Sequence, residues 1–167
     1  TTQTKLYPLC LKAGQCCGGS TEILFEVLNS GPQLYLFGAG HVGQAICETL
    51  AGTPFKVQLI DNRLEWIERA KNFNHVVAHH MDWQTFLPKI HWDEESTYIV
   101  IMTHSHFDDE AIVEAIYSHR ARFIGLIGSQ HKWERFKHRL KNRGLDELTL
   151  DQKITCPIGL KRAGKAP

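Results

Sequence analysis

The stretch Leu34-Tyr35-Leu36-Phe37-Gly38-Ala39-Gly40-His41-Val42-Gly43 decides the fold. Its first four residues are an apolar run typical of a buried strand, and the run leads directly into the pattern G-x-G-x-x-G. Apolar residues then recur at helical spacing, and a second apolar run, Val57 to Ile60, ends at Asp61. Strand, glycine turn, helix, strand and acid in this order predict a dinucleotide-binding βαβ unit.

Each glycine of the motif has its own expected role. Gly38 permits a tight turn, Gly40 lets the backbone approach a phosphate, and Gly43 lets helix and strand pack closely. The N-terminus of the helix presents unpaired N–H groups and the positive end of a dipole to that phosphate. His41 lies inside the motif and is therefore a candidate binding residue as well.

Composition describes an ordinary globular protein. The 167 residues are 43% apolar and 22% charged, and the net charge of +1 gives no reason to expect nucleic acid or a membrane surface as partner. No apolar run reaches the roughly 18 residues of a membrane span. Five cysteines, two of them adjacent, do not make a disulfide framework, so we expect a reducing, cytoplasmic location. The first residues lack an initiator Met and a signal-peptide core, which favours a processed or trimmed chain.

The sequence divides at the turn Asn29-Ser30-Gly31-Pro32. Residues 1–31 carry two strand-like runs, Lys5 to Leu11 and Thr21 to Leu28, on either side of a Cys-Cys-Gly-Gly loop. Two strands alone are only marginally stable, so this segment must lean on the main domain, on a partner subunit or on sequence not present here. A homodimer is the arrangement we expect. Residues 32–167 form the predicted Rossmann-like domain.

Strands and helices alternate after Asp61, which predicts a Rossmann-like doubly wound parallel sheet of the α/β class, with the N-terminal strand pair as a short appendage. The predicted helices cover 64–71, 82–87, 109–118 and 130–141, and the predicted strands cover 75–78, 97–102, 123–127 and 154–158.

Polar clusters follow the predicted strands. Because ligands of such sheets bind at the carboxyl ends of the strands, we expect these clusters to form one crevice, although loops are often polar in any case. The clusters are Gly38–Gly43, Asp61–Arg63, Thr103–His106, Gly128–Ser129 and Cys156–Gly159.

Adjacent thiols at Cys16 and Cys17, followed by two glycines, are the next informative feature. A disulfide between neighbours is strained, so free thiols are expected in a reducing cell. Glycines leave the backbone exposed, so a soft ligand such as a metal or a sulfur species can approach. The alternative is that the two cysteines are structural or incidental.

The loop His104-Ser105-His106-Phe107-Asp108 resembles the metal-binding loop of binuclear metallohydrolases. In that loop a second His follows the Asp, whereas Asp109 stands here, so one ligand is lost. We favour a loop that lines an anionic or pterin-like ligand over a metal site. The basic face of the helix after Ser129 is either a solvated surface or a dock for an acidic partner or for the phosphate end of a ligand.

Taken together, these motifs resemble the xanthine dehydrogenase accessory protein family (XdhC/CoxI type). The resemblance covers nearly the whole chain and implies a Rossmann-fold protein, not itself an enzyme, that binds molybdenum cofactor (molybdopterin). Such proteins protect the cofactor, assist its sulfuration with a cysteine desulfurase, and deliver it to apo xanthine dehydrogenase or a related molybdoenzyme. The motifs, in chain order, are Gly14–Gly19, Phe37–Gly43, Thr103–His106, Gly125–Ser129 with Lys132–Phe136, and Ile154–Gly159 with Gly164-Lys165.

Two departures from the family pattern bear on competence for insertion. Family members have a longer region before the paired cysteines and a helix after the Gly-Lys, and both are missing here. We predict that the thiols of Cys16 and Cys17 contact the soft molybdenum. The full set of predicted cofactor-binding residues is Cys16, Cys17, Gly38, Gly40, His41, Gly43, Asp61, Arg63, His104, His106, Gly128, Ser129, Cys156 and Gly159.

Two other functions stay open at this point. The first is an NAD(P)-binding oxidoreductase or NAD-sensing module, because Asp61 is placed to bond a ribose 2′-OH and His104 or His106 to donate a proton. The second is a metallohydrolase that uses the His104/His106 loop.

Overall fold

A computed structural model describes residues 2–9, 19–26 and 31–159. The chain separates into two compact units, Thr1–Ser30 and Gly31–Pro167. In the first unit, β1 (Thr2–Leu9) and β2 (Gly19–Glu26) pair antiparallel, with Thr2 opposite Glu26. Both strands begin two or three residues before their predicted positions. The loop that holds Cys16 and Cys17 lies outside the described residues.

The second unit is built on a six-stranded parallel sheet, which confirms the predicted fold class. The strand order is β5-β4-β3-β6-β7-β8. Because the chain first proceeds outward from β3 to β5 and then returns to β6, the topological switch point lies between β3 and β6. The strands are β3 (Gln33–Phe37), β4 (Lys56–Asp61), β5 (Val76–His80), β6 (Thr97–Ile101), β7 (Phe123–Leu126) and β8 (Ile154–Thr155).

Helices connect the strands, and none within the described residues has the length and apolar character that crossing a bilayer requires. They are α1 (His41–Thr49), α2 (Leu64–Ala70), α3 (Trp83–Phe86) with a 3₁₀ turn (Leu87–Lys89), α4 (His106–Ile116), α5 (Gln130–Asn142) and α6 (Glu147–Lys153).

The largest differences from the sequence prediction in the second unit concern three elements. Helix α4 begins at His106 rather than at Asp109, because Ser105 caps it by accepting the amide of Asp108. Helix α6 was not predicted, and Asp146 caps it in the same way. Strand β8 has only two residues, since Pro157 has no N–H with which to extend the ladder.

Apolar side chains of β3 alternate between two cores, one on each face of the sheet. Leu34 and Leu36 pack with residues of α1 and α2, whereas Tyr35 and Phe37 pack with residues of α4 and α5. A strand covered on both faces by helices reads as a continuous apolar run, which explains the pattern of the sequence.

Replacing Gly43 by Ala is expected to destabilise the second unit. A Cβ at this position would lie 2.2 Å from the backbone oxygen of Gly38, so helix α1 must move away from β3. Overpacking of this kind costs about 1–3 kcal/mol, which urea denaturation measures as a lower midpoint. Gly40→Ala is the matched control, because a Cβ there meets only Arg63 Nη2 at 3.9 Å. Equal midpoints for both variants would contradict the close packing at Gly43.

Candidate functional site

The turn from Gly38 to Gly43, named here the glycine turn, lies at the topological switch point between β3 and β6. Gly38 adopts a φ of +114°, and a Cβ on it would lie 2.2 Å from the carbonyl oxygen of Met102, just past β6. Its amide donates to the carbonyl of Ile60 at 2.9 Å, which ties the turn to β4 as well. Only glycine satisfies both the left-handed backbone and this close approach.

The N-terminus of helix α1 is open. Gly40 is the N-cap residue, and no side chain of residues 2–9, 19–26 or 31–159 caps the helix. The nearest atom to a Cβ on Gly40 would be Arg63 Nη2, at 3.9 Å. Backbone N–H groups that no described side chain caps, with a cationic guanidinium beside them, make this turn suited to bind a phosphate or another anion.

The carboxylate of Asp61 is fully engaged by protein groups. Its Oδ2 accepts from the amide of Ala39 and from Arg63 Nη2, both at 2.7 Å. Its Oδ1 accepts from the amide and from Nε of Arg63, both at 2.9 Å. Burial alone raises the pKa of this carboxyl, but the bonds from Arg63 and Ala39 outweigh it and hold the pKa below its usual range.

Arg63 and His41 meet on one tryptophan beside the glycine turn. The imidazole of His41 packs edge-on against Trp66 with 4.7 Å between ring centroids, and the guanidinium of Arg63 lies 5.5 Å from the same ring. Gln44 Nε2 donates to the carbonyls of Ala39 and Trp66, at 2.9 and 3.0 Å, and so fixes α2 against the turn. The bidentate ion pair with Asp61 holds the Arg63 side chain in this position beside the glycine turn.

A second polar cluster forms where β6 and β7 end. The Asp109 side chain is only 1% exposed, and its Oδ1 accepts from the amide and hydroxyl of Thr103 at 3.0 and 2.7 Å. Its Oδ2 lies 2.7 Å from Nζ of Lys132, which also donates to the carbonyl of Ile127 at 3.0 Å. This cluster therefore fastens the loop after β6 to the loop after β7.

Gly128 and Ser129 set the path of the Lys132 side chain. A Cβ on Gly128 would lie 2.7 Å from Cδ of Lys132, so a side chain there would displace the lysine. Ser129 Oγ accepts the amide of Lys132 at 3.2 Å and caps helix α5. Burial raises the pKa of the nearby Cys156 thiol, and the charge of Lys132 offsets part of that rise.

Two hollows lie at the carboxyl ends of the strands, and Thr103 lines both. The first, about 30 Å³ in volume, is a small recess that Gly38, Asp61 and His104 line together with Asp82 and Asp108. The second is a cavity of about 510 Å³, named here the Lys132 cavity. Its lining includes Thr103, His106, Asp109, Gly128, Ser129, His131, Lys132, Arg135, Phe136 and Arg139.

Comparison with known proteins decides the family. The model of the XdhC Rossmann domain family matches residues 34–167, most of the chain. The chain belongs to the XdhC Rossmann domain family.

Two further similarities were found, one to a curated protein and one to a solved structure. YqeB of Escherichia coli (strain K12), which is described as uncharacterized, is 22% identical over 154 residues. The crystal structure of a xanthine dehydrogenase from Bacillus halodurans superimposes with a TM-score of 0.64 at 22% identity over 86% of the chain, which shows a shared fold. The chain spans only 28% of YqeB and 39% of the Bacillus halodurans chain.

The structure brings most of the predicted site residues of this XdhC domain to the strand ends, but in two groups. The first group lies at the glycine turn and comprises Gly38, Gly40, His41, Gly43, Asp61 and Arg63. The second group lines the Lys132 cavity and comprises His106, Gly128 and Ser129. The Cys156 thiol lies near Lys132. His104 lines the small recess. At Gly159, no atom of the part of the chain that the structure describes lies within 4 Å of a Cβ position. Cys16 and Cys17 lie outside the described residues.

Sequence reasoning did not predict the ion pair between Lys132 and Asp109. Lys132 is one of five Lys and Arg residues of α5, and nothing local in the sequence distinguishes the one that pairs with Asp109. The signal in the sequence that could have indicated this pair is Gly128-Ser129. A glycine before an N-cap serine leaves room for the long side chain of the third residue after the serine, which here is Lys132.

The His104/His106 loop does not form a metal centre within the described residues, where no group of three His, Cys, Asp or Glu side chains is placed to hold an ion. His106 is 83% exposed in its side chain, and its Nδ1 lies 4.0 Å from Asp109 Oδ2. The carboxylate of Asp109 already binds the ammonium of Lys132, which stands where a cation would have to bind. The geometry therefore opposes the metallohydrolase alternative.

Lys132→Met is expected to lower the free energy of unfolding by about 3 kcal/mol, because it leaves the buried carboxylate of Asp109 without its cation. The double variant Lys132→Met/Asp109→Asn should recover part of this loss, since Asn keeps an acceptor for Thr103 without a charge. Urea denaturation of the wild type, of Lys132→Met, of Asp109→Asn and of the double variant completes the double-mutant cycle. Additive effects would show that the two side chains do not interact.

Proposed function

We propose that this domain binds molybdenum cofactor as part of an accessory protein of xanthine dehydrogenase or a related molybdenum hydroxylase. In this proposal the whole protein protects the cofactor, assists its sulfuration by a cysteine desulfurase, and delivers it to the apoenzyme. Family membership and the solved relative support the link to xanthine dehydrogenase. The observation that carries cofactor binding is the uncapped start of α1 beside Arg63.

The residues present fit the chemical groups of molybdopterin. Its terminal phosphate suits the amides after Gly40 and the guanidinium of Arg63, because both kinds of group donate N–H bonds to phosphate oxygens. A pterin has hydrogen-bonding edges, which the imidazole of His104 and the hydroxyl of Ser129 are free to meet. When bound, the cofactor supplies molybdenum with a sulfido ligand, and Cys16 and Cys17 are the soft groups that we assign to it.

Asp61 has a different role from the one expected. The sequence predicts a carboxylate that faces the ligand, either a pterin edge or a ribose hydroxyl. In the structure four hydrogen bonds from Ala39 and Arg63 occupy it, so it positions the guanidinium beside Gly40 instead. Because Asp61 is bonded to Arg63, it is not available to a ribose, which favours a ligand held through its phosphate over NAD.

A homodimer, the cysteine desulfurase as partner and a cytoplasmic location belong to the proposal as well. The two-stranded N-terminal unit supports the homodimer, since a pair of strands has too small a core for stability by itself.

Gly40→Ala in the full-length protein is expected to reduce retained molybdopterin at least tenfold without lowering stability. A methyl group at this position fits the protein but stands where the phosphate must approach the backbone. Mass spectrometry of the small molecules that copurify, per mole of protein, measures retention, and urea denaturation checks the fold. Full retention by a stably folded Gly40→Ala variant would rule out the glycine turn as the phosphate site.

Arg63→Ala is expected to confer NAD binding that the wild type lacks. Removing the guanidinium frees both oxygens of Asp61 for ribose hydroxyls. Thermal unfolding with and without millimolar NAD detects the gain as a raised Tm. Arg69→Ala is the matched control, because Arg69 also lies over Trp66, at 4.5 Å, but does not bond Asp61. A large shift in the wild type would instead support the NAD-sensing alternative.

A further inference from the structure

The Lys132 cavity is separate from the glycine turn and has the size of a small-molecule site. Its volume of about 510 Å³ lies within the range of roughly 300–1,000 Å³ that is typical of organic ligands. Neither Gly40 nor Arg63 lines it. Binding of a ligand at the glycine turn therefore does not account for this second cavity.

The charges around the Lys132 cavity are unequal. Three cationic side chains line it, Lys132, Arg135 and Arg139, against the single carboxylate of Asp109. Asp109 pairs with Lys132, and Glu110 binds Arg139 through two of its guanidinium nitrogens. Arg135 makes no ion pair with any of the described residues. Its guanidinium is the cation that the cavity leaves available to a ligand.

Backbone groups add to this positive field. Helix α4 begins at His106 and helix α5 begins at Gln130, and residues at both starts line the cavity. Ser129 Oγ accepts only the amide of Lys132, so the first amides of α5 have no side-chain partner. Two helix N-termini and a free guanidinium together match the several oxygens of a phosphate group better than the two of a carboxylate.

The position of Lys132 is fixed independently of any ligand. Its ammonium is held by Asp109 and by the carbonyl of Ile127, and its side chain is only 14% exposed. It lies 5.1 Å from the ring centroid of Phe136, a buried side chain that gives the cavity an apolar wall. The ammonium has one N–H left to donate to a phosphate, and the ring of Phe136 offers an apolar contact to an organic group attached to that phosphate.

We propose that the Lys132 cavity binds the phosphate group of an organic phosphate ester, with Arg135 and Lys132 as its ligands, and does so independently of the glycine turn. The proposal rests on the proposed function only for the identity of the natural guest.

The test measures the affinity of GMP, pyrophosphate and inorganic phosphate by calorimetry for the wild type and three variants. Arg135→Ala is expected to weaken GMP binding about tenfold and to reduce its dependence on salt concentration, since one phosphate contact is lost. Lys141→Gln should bind GMP like the wild type, because Lys141 is on the same helix but pairs with Glu147 away from the cavity. In Gly40→Ala, the component of GMP binding that Arg135→Ala weakens should keep its wild-type affinity, because Gly40 does not line the Lys132 cavity.

Three outcomes would overturn the inference. They are the absence of GMP binding by the wild type, equal GMP affinity in Arg135→Ala and wild type, and a Gly40→Ala variant that loses GMP binding while Arg135→Ala retains it in full. Inorganic phosphate that binds as tightly as GMP would contradict the organic character of the ligand. Each result is independent of molybdopterin retention, so the proposed function and this inference fail separately.

Discussion

The bidentate ion pair between Asp61 and Arg63 is the interaction on which the arrangement of the site depends. One carboxylate at the end of β4 holds the amide of Ala39 in the glycine turn and the guanidinium of Arg63 beside Gly40. Without it, the turn would lose a hydrogen bond to β4 and the open start of α1 would lose its adjacent cation. The same carboxylate is the group that a dinucleotide-binding protein would offer to a ribose. This domain thus has the fold of a dinucleotide-binding protein with its ribose-binding acid committed to the protein itself.

A second ion pair, between Asp109 and Lys132, organises the other side of the switch point. It joins the loops after β6 and β7 and keeps a lysine side chain at the wall of the larger cavity. The two pairs differ in what they leave available to a ligand. Asp61 and Arg63 neutralise each other beside unpaired helix amides, whereas the Lys132 cavity retains the charge of Arg135. Both regions favour anions, which is the property that a carrier of a phosphorylated cofactor requires.

Hydrophobic patterning made the sheet predictable. The run Leu34 to Phe37 is buried on both faces by helices, so its continuous apolar character is the expected signal of a central parallel strand. Helix α6 gave a weak signal, because Leu150 is buried but Leu148 is 72% exposed. The start of α4 was placed too late since the polar residues around Ser105, which form its cap and first turn, read as a loop.

The site was predictable only where its parts are local in sequence. The glycine turn and Asp61 follow the spacing of a known motif, so their meeting could be expected. The partner of Asp61 could not, because the motif predicts an acid that faces a ligand and says nothing of an arginine two residues later. Likewise Lys132 and Asp109 meet only because β6 and β7 are neighbours in the sheet, a fact that no local pattern contains.

A crystal structure of the full-length protein with bound molybdopterin would test the central claim most directly. The account predicts that the cofactor lies along the carboxyl ends of β3, β6 and β7, with a phosphate in contact with the first amides of α1. It also predicts that the Asp61–Arg63 ion pair is intact in that complex. Cofactor bound on another face of the sheet, or a ligand group bonded to Asp61 in place of Arg63, would contradict it.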